Sequence, residues 1–275
     1  MGAFDWTNKV VLVTGGTRGI GLETALCFAR AGARPVITYR WGGSEEAALA
    51  RFSAEALPQP RLLRADVSRE SDTQRLMTEL KADCDGIDAF LSNVSVASMV
   101  KGMEDYKLRA LQRSIECTSW PMVAYTQAIH ATFGRWPRYI VALSSFGTEQ
   151  LAMNYDFVAA SKAVVETLIP YLAWRLGPEG VRVNGLTCGL AKTESSVGMA
   201  GSEYEAFEAW HHRCIGPIPY VRVEDVANAL FALCSGWLDG MNGQILRLDD
   251  GSMNFAENRY GLFRAFQKHH EGVGQ

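Results

Sequence analysis

Short apolar runs alternate with longer amphipathic segments along most of the chain. Runs rich in valine, isoleucine and leucine predict strands, and the segments between them repeat apolar residues at helical spacing. Strands that alternate with helices favour a parallel sheet covered by helices on both faces. The sequence therefore predicts a Rossmann-like, doubly wound α/β fold with a seven-stranded parallel sheet. The predicted strands are 10–13, 35–38, 62–65, 89–91, 139–143, 181–186 and 244–248, and the predicted helices are 21–31, 44–56, 69–81, 106–133, 154–176 and 224–233.

No internal repeat or linker divides the chain, so residues 1–275 are expected to form a single domain. The alternation breaks at 193–220, and a long insertion after a late strand is usually a lid or a substrate-binding loop. Its aromatic residues Tyr204, Phe207 and Trp210 suit a cover for an acyl chain and ordinary packing equally well. The tail at 255–275 either docks on a neighbouring subunit or frays.

Charge and cysteine usage narrow the classes of function. The chain has 27 Lys plus Arg against 30 Asp plus Glu, which provides no cationic field for nucleic acid or an anionic membrane. A small-molecule or carrier-bound substrate is favoured instead. Six scattered cysteines indicate reduced thiols that serve packing, and the histidine pairs at 211–212 and 269–270 lack further ligands, so no metal site is predicted. No signal peptide and no apolar run of about 18 residues is evident, so a cytoplasmic protein is expected.

A glycine-rich segment joins the first predicted strand to the first helix. Glycines at such a turn let the backbone approach a pyrophosphate, and the N–H groups and dipole of the helix N-terminus attract its negative charge. The position between a buried strand and a helix makes a dinucleotide site a better interpretation than a plain turn. The residues predicted to line the cofactor here are Gly15, Thr17, Arg18, Gly19, Ile20 and Gly21.

The end of the second strand indicates which nucleotide binds. NAD-binding domains normally place a carboxylate there for the ribose 2′-OH, whereas this chain has Tyr39 and Arg40. Arg40 and Arg18 could clamp a 2′-phosphate, so NADPH is favoured over NADH, the alternative being two solvated arginines. After the third strand, Asp66 can accept a hydrogen bond from the adenine amino group while Val67 packs on the ring.

Further motifs follow the glycine loop and Asp66-Val67 in a fixed order along the chain. They are Asn93, Ser144-Ser145, Tyr155 with Lys162, Cys188-Gly189 with Thr193, and 243–251. Together these motifs resemble those of the short-chain dehydrogenase/reductase family, and the resemblance extends from about residue 9 to residue 251. It implies a nicotinamide cofactor and a homotetramer or homodimer. It also implies that Asn93 stabilises the centre of the sheet beside the cofactor and that Thr193, which follows Gly189, binds the nicotinamide carboxamide.

The catalytic pair has an unusual spacing. Val158 occupies the position four residues before Lys162 where the classical family has its tyrosine, and Tyr155 stands seven residues before Lys162. On a helix, seven residues return to within about 20° of the same face, about 10 Å along the axis. The lysine charge is expected to lower the tyrosine pKa, and Lys162 is also expected to bind the nicotinamide ribose. This spacing resembles the divergent enoyl-acyl-carrier-protein reductase branch.

Other departures leave the reaction open. Residues 114–126 contain no asparagine for the classical proton relay, and the turn at 92–95 differs from the usual family sequence. Ser145 keeps the classical spacing to Val158 and could donate to the substrate oxygen, although a turn cap is nearly as good an explanation. The main hypothesis is NADPH-dependent reduction of an α,β-unsaturated acyl thioester or enone. The alternatives are a ketoreductase of a polyketide-like or secondary-metabolite carbonyl, and a non-catalytic NADP(H)-binding sensor.

Overall fold

Parallel strands in the order β3-β2-β1-β4-β5-β6-β7 build the sheet of this computed structural model, which describes residues 4–96, 98–152, 154–189, 191–194, 196–197, 205–206, 209 and 221–251. The predicted seven-stranded parallel sheet is confirmed. The strands are β1 Val10–Thr14, β2 Arg34–Tyr39, β3 Arg61–Arg64, β4 Ala89–Ser92, β5 Tyr139–Leu143, β6 Arg182–Cys188 and β7 Ile245–Leu248, and the helices are α1 Gly19–Arg30, α2 Glu45–Ala54, α3 Glu70–Lys81, α4 Leu108–Thr118, α5 Trp120–Phe133, α6 Asp156–Leu176 and α7 Val223–Ala232.

The order in which successive strands are added to the sheet reverses at β1. Val13 of β1 pairs with Ile37 of β2 on one side and with Leu91 of β4 on the other, so successive units are laid down in opposite directions from this strand. In doubly wound sheets, the crevice at the carboxyl ends of the strands on either side of such a reversal is where ligands bind. The candidate site is therefore sought at this edge of the sheet.

Helices cover both faces of the sheet with separate apolar cores. On one face α1 packs against α7, and residues such as Leu26 and Leu230 are almost fully buried there. On the other face α3, α5 and α6 contribute residues such as Leu76, Ile129 and Val165 to the second core. Because every central strand is covered on both sides, the strands read as continuous apolar runs rather than as alternating ones.

The predicted helix 106–133 is wrong as a single element. The structure contains α4 and α5 instead, with a break at Ser119. Pro121 lies in the first turn of α5, where its missing N–H group needs no partner, whereas in a continuous helix it would remove a hydrogen bond. Ser119 donates a hydrogen bond from its hydroxyl to the Ser161 carbonyl at 2.7 Å, which fixes the break against α6.

Helix α6 and the turn after it differ from the expectation that no segment could span a membrane. Residues 156–179 are long and apolar enough by length and composition, with a mean hydropathy of 1.2. In the fold this segment packs against α4 and β6, and its residues Val165 and Ile169 are buried. The predictions for Tyr204, Phe207, Trp210, the two histidine pairs and the tail at 255–275 lie outside the described residues.

Candidate active site

The glycine loop wraps the N-terminus of α1 at the end of β1. Gly15 has φ +66°, a conformation that favours glycine, and a Cβ on Gly21 would lie 2.6 Å from the Gly15 carbonyl oxygen. The first turn of α1 has no acidic residue, and its N-cap residue, Arg18, makes no side-chain capping hydrogen bond. The side chain of Asn93 donates to the carbonyls of Thr14 at 3.0 Å and Gly15 at 3.1 Å. These residues fit a dinucleotide pyrophosphate, because backbone N–H groups are left for the ligand.

Other predicted cofactor residues surround this loop. The Thr17 hydroxyl accepts a hydrogen bond from Ser44 at 2.7 Å, and Ile20 packs on the first core cluster. A Cβ on Gly19 would lie 3.8 Å from the Thr193 side chain, so Thr193 lies beside the loop. Gly189 donates from its backbone N–H to the Leu248 carbonyl at 2.8 Å, which anchors the start of that segment.

At the adenosine end, the two predicted arginines pair with different carboxylates. Arg40 lies 3.0 Å from Asp66, and Arg18 lies 3.5 Å from Glu194. Burial opposes ionisation of Asp66, but hydrogen bonds from Ser68 and the nearby guanidinium charges outweigh burial and lower the pKa of Asp66. Val67 is 7% exposed and packs in the second core cluster. A 2′-phosphate would therefore have to compete with Asp66 for Arg40.

Two residues near the adenosine end were missed by the sequence analysis. Arg113 on α4 donates a hydrogen bond to the Ser68 hydroxyl at 2.8 Å and lies 3.8 Å from Asp66. The carboxylate of Glu45, at the start of α2, accepts hydrogen bonds from the backbone N–H groups of Gly43 at 2.6 Å and Ser44 at 2.8 Å. A glutamate directly after a glycine-rich turn could have signalled the second contact, whereas no local pattern indicates the first.

The proposed proton donor lies at the other end of the site. The hydroxyls of Tyr155 and Ser145 are 3.0 Å apart and share a hydrogen bond. Lys162 is 3% exposed, and its Nζ donates to the Leu143 carbonyl at 2.6 Å. Val158 is 2% exposed in the core. The structure therefore brings Tyr155, Ser145 and Lys162 together around the carboxyl end of β5.

The start of α6 corrects the helical-face argument. The helix begins at Asp156, and Tyr155 is its N-cap with φ −98° and ψ 6°, so the last step of the seven-residue interval is not regular helix. Asn154, just before it, has φ +61°. The position of Tyr155 relative to Lys162 thus depends on this turn as well as on helical periodicity.

Burial dominates the protonation of the site. It raises the pKa of Tyr155, while the hydrogen bond from Ser145 acts in the opposite direction. Burial lowers the pKa of Lys162 to about 8 and raises the pKa of Cys188 to about 11. The expected lowering of the tyrosine pKa by Lys162 is not seen. Tyr155 is held as a neutral phenol, the form that can donate a proton.

Cys188 is the last residue of β6, and it raises the pKa values of both Tyr155 and Lys162. The described cysteines are all free thiols, as predicted, and Cys214 lies outside the described residues.

Gly147 supports the ring of Tyr155. A Cβ at this position would lie 2.5 Å from Cδ1 of the ring, so a Gly147→Ala variant has to displace the phenol. We expect the turnover rate of the Gly147→Ala variant to be about 10-fold to 100-fold lower than that of the wild type, because misplacement of a reacting group by about 1 Å has that effect. Steady-state kinetics would measure it. Gly240→Ala is the control, since a Cβ there meets no heavy atom within 4 Å. Equal rates for both variants would show that the Tyr155 position does not control turnover.

Relatives found by sequence are mainly enoyl reductases. A family model described as enoyl-(acyl carrier protein) reductase matches residues 15–253. The NADH-dependent enoyl-acyl-carrier-protein reductase of Escherichia coli is 27% identical over 264 residues, 93% of this chain and 98% of that protein. The 1-cyclohexenylcarbonyl-CoA reductase of Streptomyces collinus is 32% identical over 188 residues, 68% of this chain and 66% of that protein.

Two solved structures illustrate the similarity of fold. One from Burkholderia cenocepacia, in complex with NADP, has a TM-score of 0.77 at 24% identity and covers 91% of this chain and 100% of its own. A 3-oxoacyl-acyl-carrier-protein reductase from Agrobacterium tumefaciens, with NADP bound, has a TM-score of 0.78 at 22% identity, covering 89% of this chain and 94% of its own. At these identities the likeness shows the fold alone.

Fold and site define the class as a nicotinamide-dependent oxidoreductase of the short-chain dehydrogenase/reductase type. Within that class, the family match over residues 15–253 is decisive. The chain belongs to the enoyl-(acyl carrier protein) reductase family.

Proposed function

We propose that this protein is an NADPH-dependent reductase of the carbon–carbon double bond in an α,β-unsaturated acyl thioester or a similar enone. The observation that carries the proposal is the hydrogen bond between Tyr155 and Ser145 at the β5 end that also holds Lys162, while Val158 is buried at the classical tyrosine position. The relatives named above as enoyl and cyclohexenylcarbonyl reductases support the same reaction.

The chemistry accounts for the unusual tyrosine position. A reduced nicotinamide supplies a hydride, which in conjugate reduction enters at the β-carbon. Negative charge then develops on the thioester oxygen, two carbons further away, whereas in ketone reduction it develops on the atom adjacent to the hydride acceptor. A phenol displaced toward the N-terminus of α6 can reach this more distant oxygen, and Tyr155 would donate a proton or a hydrogen bond to it. Ser145 would orient the phenol, and Lys162 would bind the nicotinamide ribose.

Purified protein with NADPH would test the proposal against two matched substrates, a crotonyl thioester and an acetoacetyl thioester. Oxidation of NADPH with the crotonyl thioester is the expected result. Turnover of the acetoacetyl thioester alone would overturn it in favour of a ketoreductase, an alternative that the proximity of Ser145 to Tyr155 also suits. Coenzyme binding without turnover of either substrate would favour a non-catalytic sensor.

The choice of NADPH rests on Arg40. The named enoyl reductase from E. coli uses NADH, whereas both structural neighbours hold NADP. Arg40 directly follows the end of β2, and Arg18 is the N-cap residue of α1. No acidic residue is present at residues 38–40. A charged hydrogen bond to a phosphate contributes about 1.5–3 kcal/mol, so losing one weakens binding about 10-fold or more.

We therefore expect Arg40→Ala to weaken NADPH binding about 10-fold or more while NADH binding changes little. Fluorescence titration with each nucleotide would measure the ratio. Arg34→Ala, at the opposite end of β2, is the matched control. An unchanged NADPH-to-NADH ratio in Arg40→Ala would exclude Arg40 as the 2′-phosphate ligand.

We further propose that the acyl substrate is carried on coenzyme A or on a carrier protein. The same proposal includes a cytoplasmic location and a homodimer or homotetramer. Support for self-association comes from the outer face of α6, where Tyr171 is 62% exposed and Trp174 is 73% exposed. Exposed patches of large apolar side chains commonly mark surfaces at which proteins associate.

A further inference from the structure

Three consecutive residues at the end of β5, 143–145, each make a hydrogen bond to one residue of the α6 segment. The Leu143 carbonyl accepts from Lys162, the Ser145 hydroxyl bonds Tyr155, and between them the Ser144 hydroxyl donates to Glu166. The first two contacts involve the proposed catalytic pair. The third involves a carboxylate to which the proposed function assigns no task.

Glu166 is held more firmly than a solvated surface glutamate. One carboxylate oxygen, Oε1, accepts hydrogen bonds from Ser144 and from Thr187 at 3.4 Å. The Thr148 hydroxyl lies 2.9 Å from the same oxygen and 3.0 Å from the Ser145 carbonyl, so its single proton is shared between these two acceptors. Donors from the end of β5 and from β6 hold the carboxylate in place, because each donor restricts its rotation.

The fixed carboxylate stands one helical turn from Lys162. Residues four apart on a helix are neighbours, so Glu166 and Lys162 lie on the same side of α6. The titratable groups of the described residues that face Lys162 are Cys188 from β6 and Glu166 from its own helix, and both oppose the lowering of the Lys162 pKa by burial. The thiol of Cys188 is largely un-ionised at neutral pH because burial raises its pKa to about 11. Glu166 is thus the carboxylate on the same side of α6 as Lys162, where a negative charge favours the charged lysine.

We propose that Glu166 is a positioning residue that keeps Lys162 charged and anchored at the end of β5 for binding of the coenzyme ribose. The inference rests on the proposed role of Lys162 in coenzyme binding. It does not depend on which acyl substrate is reduced.

A Glu166→Gln variant removes the negative charge of the Glu166 side chain but keeps its size and shape. Glutamine retains an Oε1 that can accept from all three hydroxyls, so a purely structural role would be preserved. Loss of the negative charge should lower the Lys162 pKa further, because burial would then act with less opposition. In the wild type we expect NADPH affinity to fall as the pH rises through about 8, the pKa of Lys162. In Glu166→Gln this fall should begin about one pH unit lower.

Fluorescence titration of the full-length protein with NADPH, from pH 7 upward, would measure this effect without any acyl substrate. Glu179→Gln, an exposed change in the turn after α6, is the control and should follow the wild-type profile. Glu166→Asp, which keeps the charge, should also keep the wild-type midpoint and serves if the glutamine variant does not fold.

The same midpoint in the wild type and in Glu166→Gln, or a profile without pH dependence in both, would overturn the proposal. So would Glu166→Asp with a midpoint as low as that expected of Glu166→Gln. Failure of the crotonyl thioester assay would instead contradict the proposed reaction and leave this coenzyme-binding result standing.

Discussion

A Tyr155→Phe variant is expected to reduce an enoyl thioester about 100-fold to 10,000-fold more slowly than the wild type, with little change in NADPH affinity. The hydroxyl of Tyr155 shares a hydrogen bond with Ser145, and burial raises its pKa, so its removal takes away the proposed proton donor but no group assigned to the coenzyme. Steady-state kinetics would report the rate, and fluorescence titration would report the coenzyme affinity.

Tyr106→Phe is the matched control for this variant. The Tyr106 hydroxyl also bonds a residue of α6, Asp156, but Tyr106 is 47% exposed and lies outside the catalytic group. It should therefore react at close to the wild-type rate. A fully active Tyr155→Phe enzyme would mean that another group donates the proton.

The second large effect is expected at Lys162. Lys162→Met should lower both the rate and the NADPH affinity, as Lys162→Ala should, because the ammonium group that would bind the ribose is lost. The methionine variant should also be more stable than the wild type near pH 7, by about 1–3 kcal/mol, because the buried charge is replaced by an apolar side chain of similar length.

The pH dependence of this stabilisation follows from the sign of the shift. Burial lowers the folded-state pKa of Lys162 to about 8 from 10.5, so the unfolded chain binds more protons between these values. The cost of the charged lysine is fully present below pH 8 and disappears as the pH rises toward 10.5. Urea denaturation of both proteins at pH 7 and at about pH 10 would measure the difference in the free energy of unfolding. A methionine variant that is less stable at pH 7, or that binds NADPH normally, would contradict this account of Lys162.

The sheet was predictable because its strands are continuous apolar runs between helices of regular period. The predicted strand 139–143 matches β5 at both ends, and the other strand boundaries differ by two residues at most. The break at Ser119 was missed because the apolar period continues through Pro121, and a proline is compatible with a new first turn as well as with a kink. Periodicity carries no information about which of these occurs.

The candidate site was predictable only in part. Spacing along the chain indicated Tyr155, Lys162 and Ser145, because all three lie close to the same strand and helix. It did not indicate that Asp66 would engage Arg40, or that Glu166 would receive hydroxyls from two strand ends, since these contacts join segments that are distant in sequence. The direction of the Tyr155 pKa shift was also wrong, because burial cannot be read from the Tyr155–Lys162 spacing.

A crystal structure of the protein with oxidised coenzyme and a saturated acyl thioester product would test the central claim most directly. The account predicts the Tyr155 hydroxyl within hydrogen-bond distance of the thioester oxygen and Lys162 Nζ at the nicotinamide ribose. A Tyr155 hydroxyl that points away from both the nicotinamide ring and the thioester, with another protein group bonded to the thioester oxygen, would contradict the account.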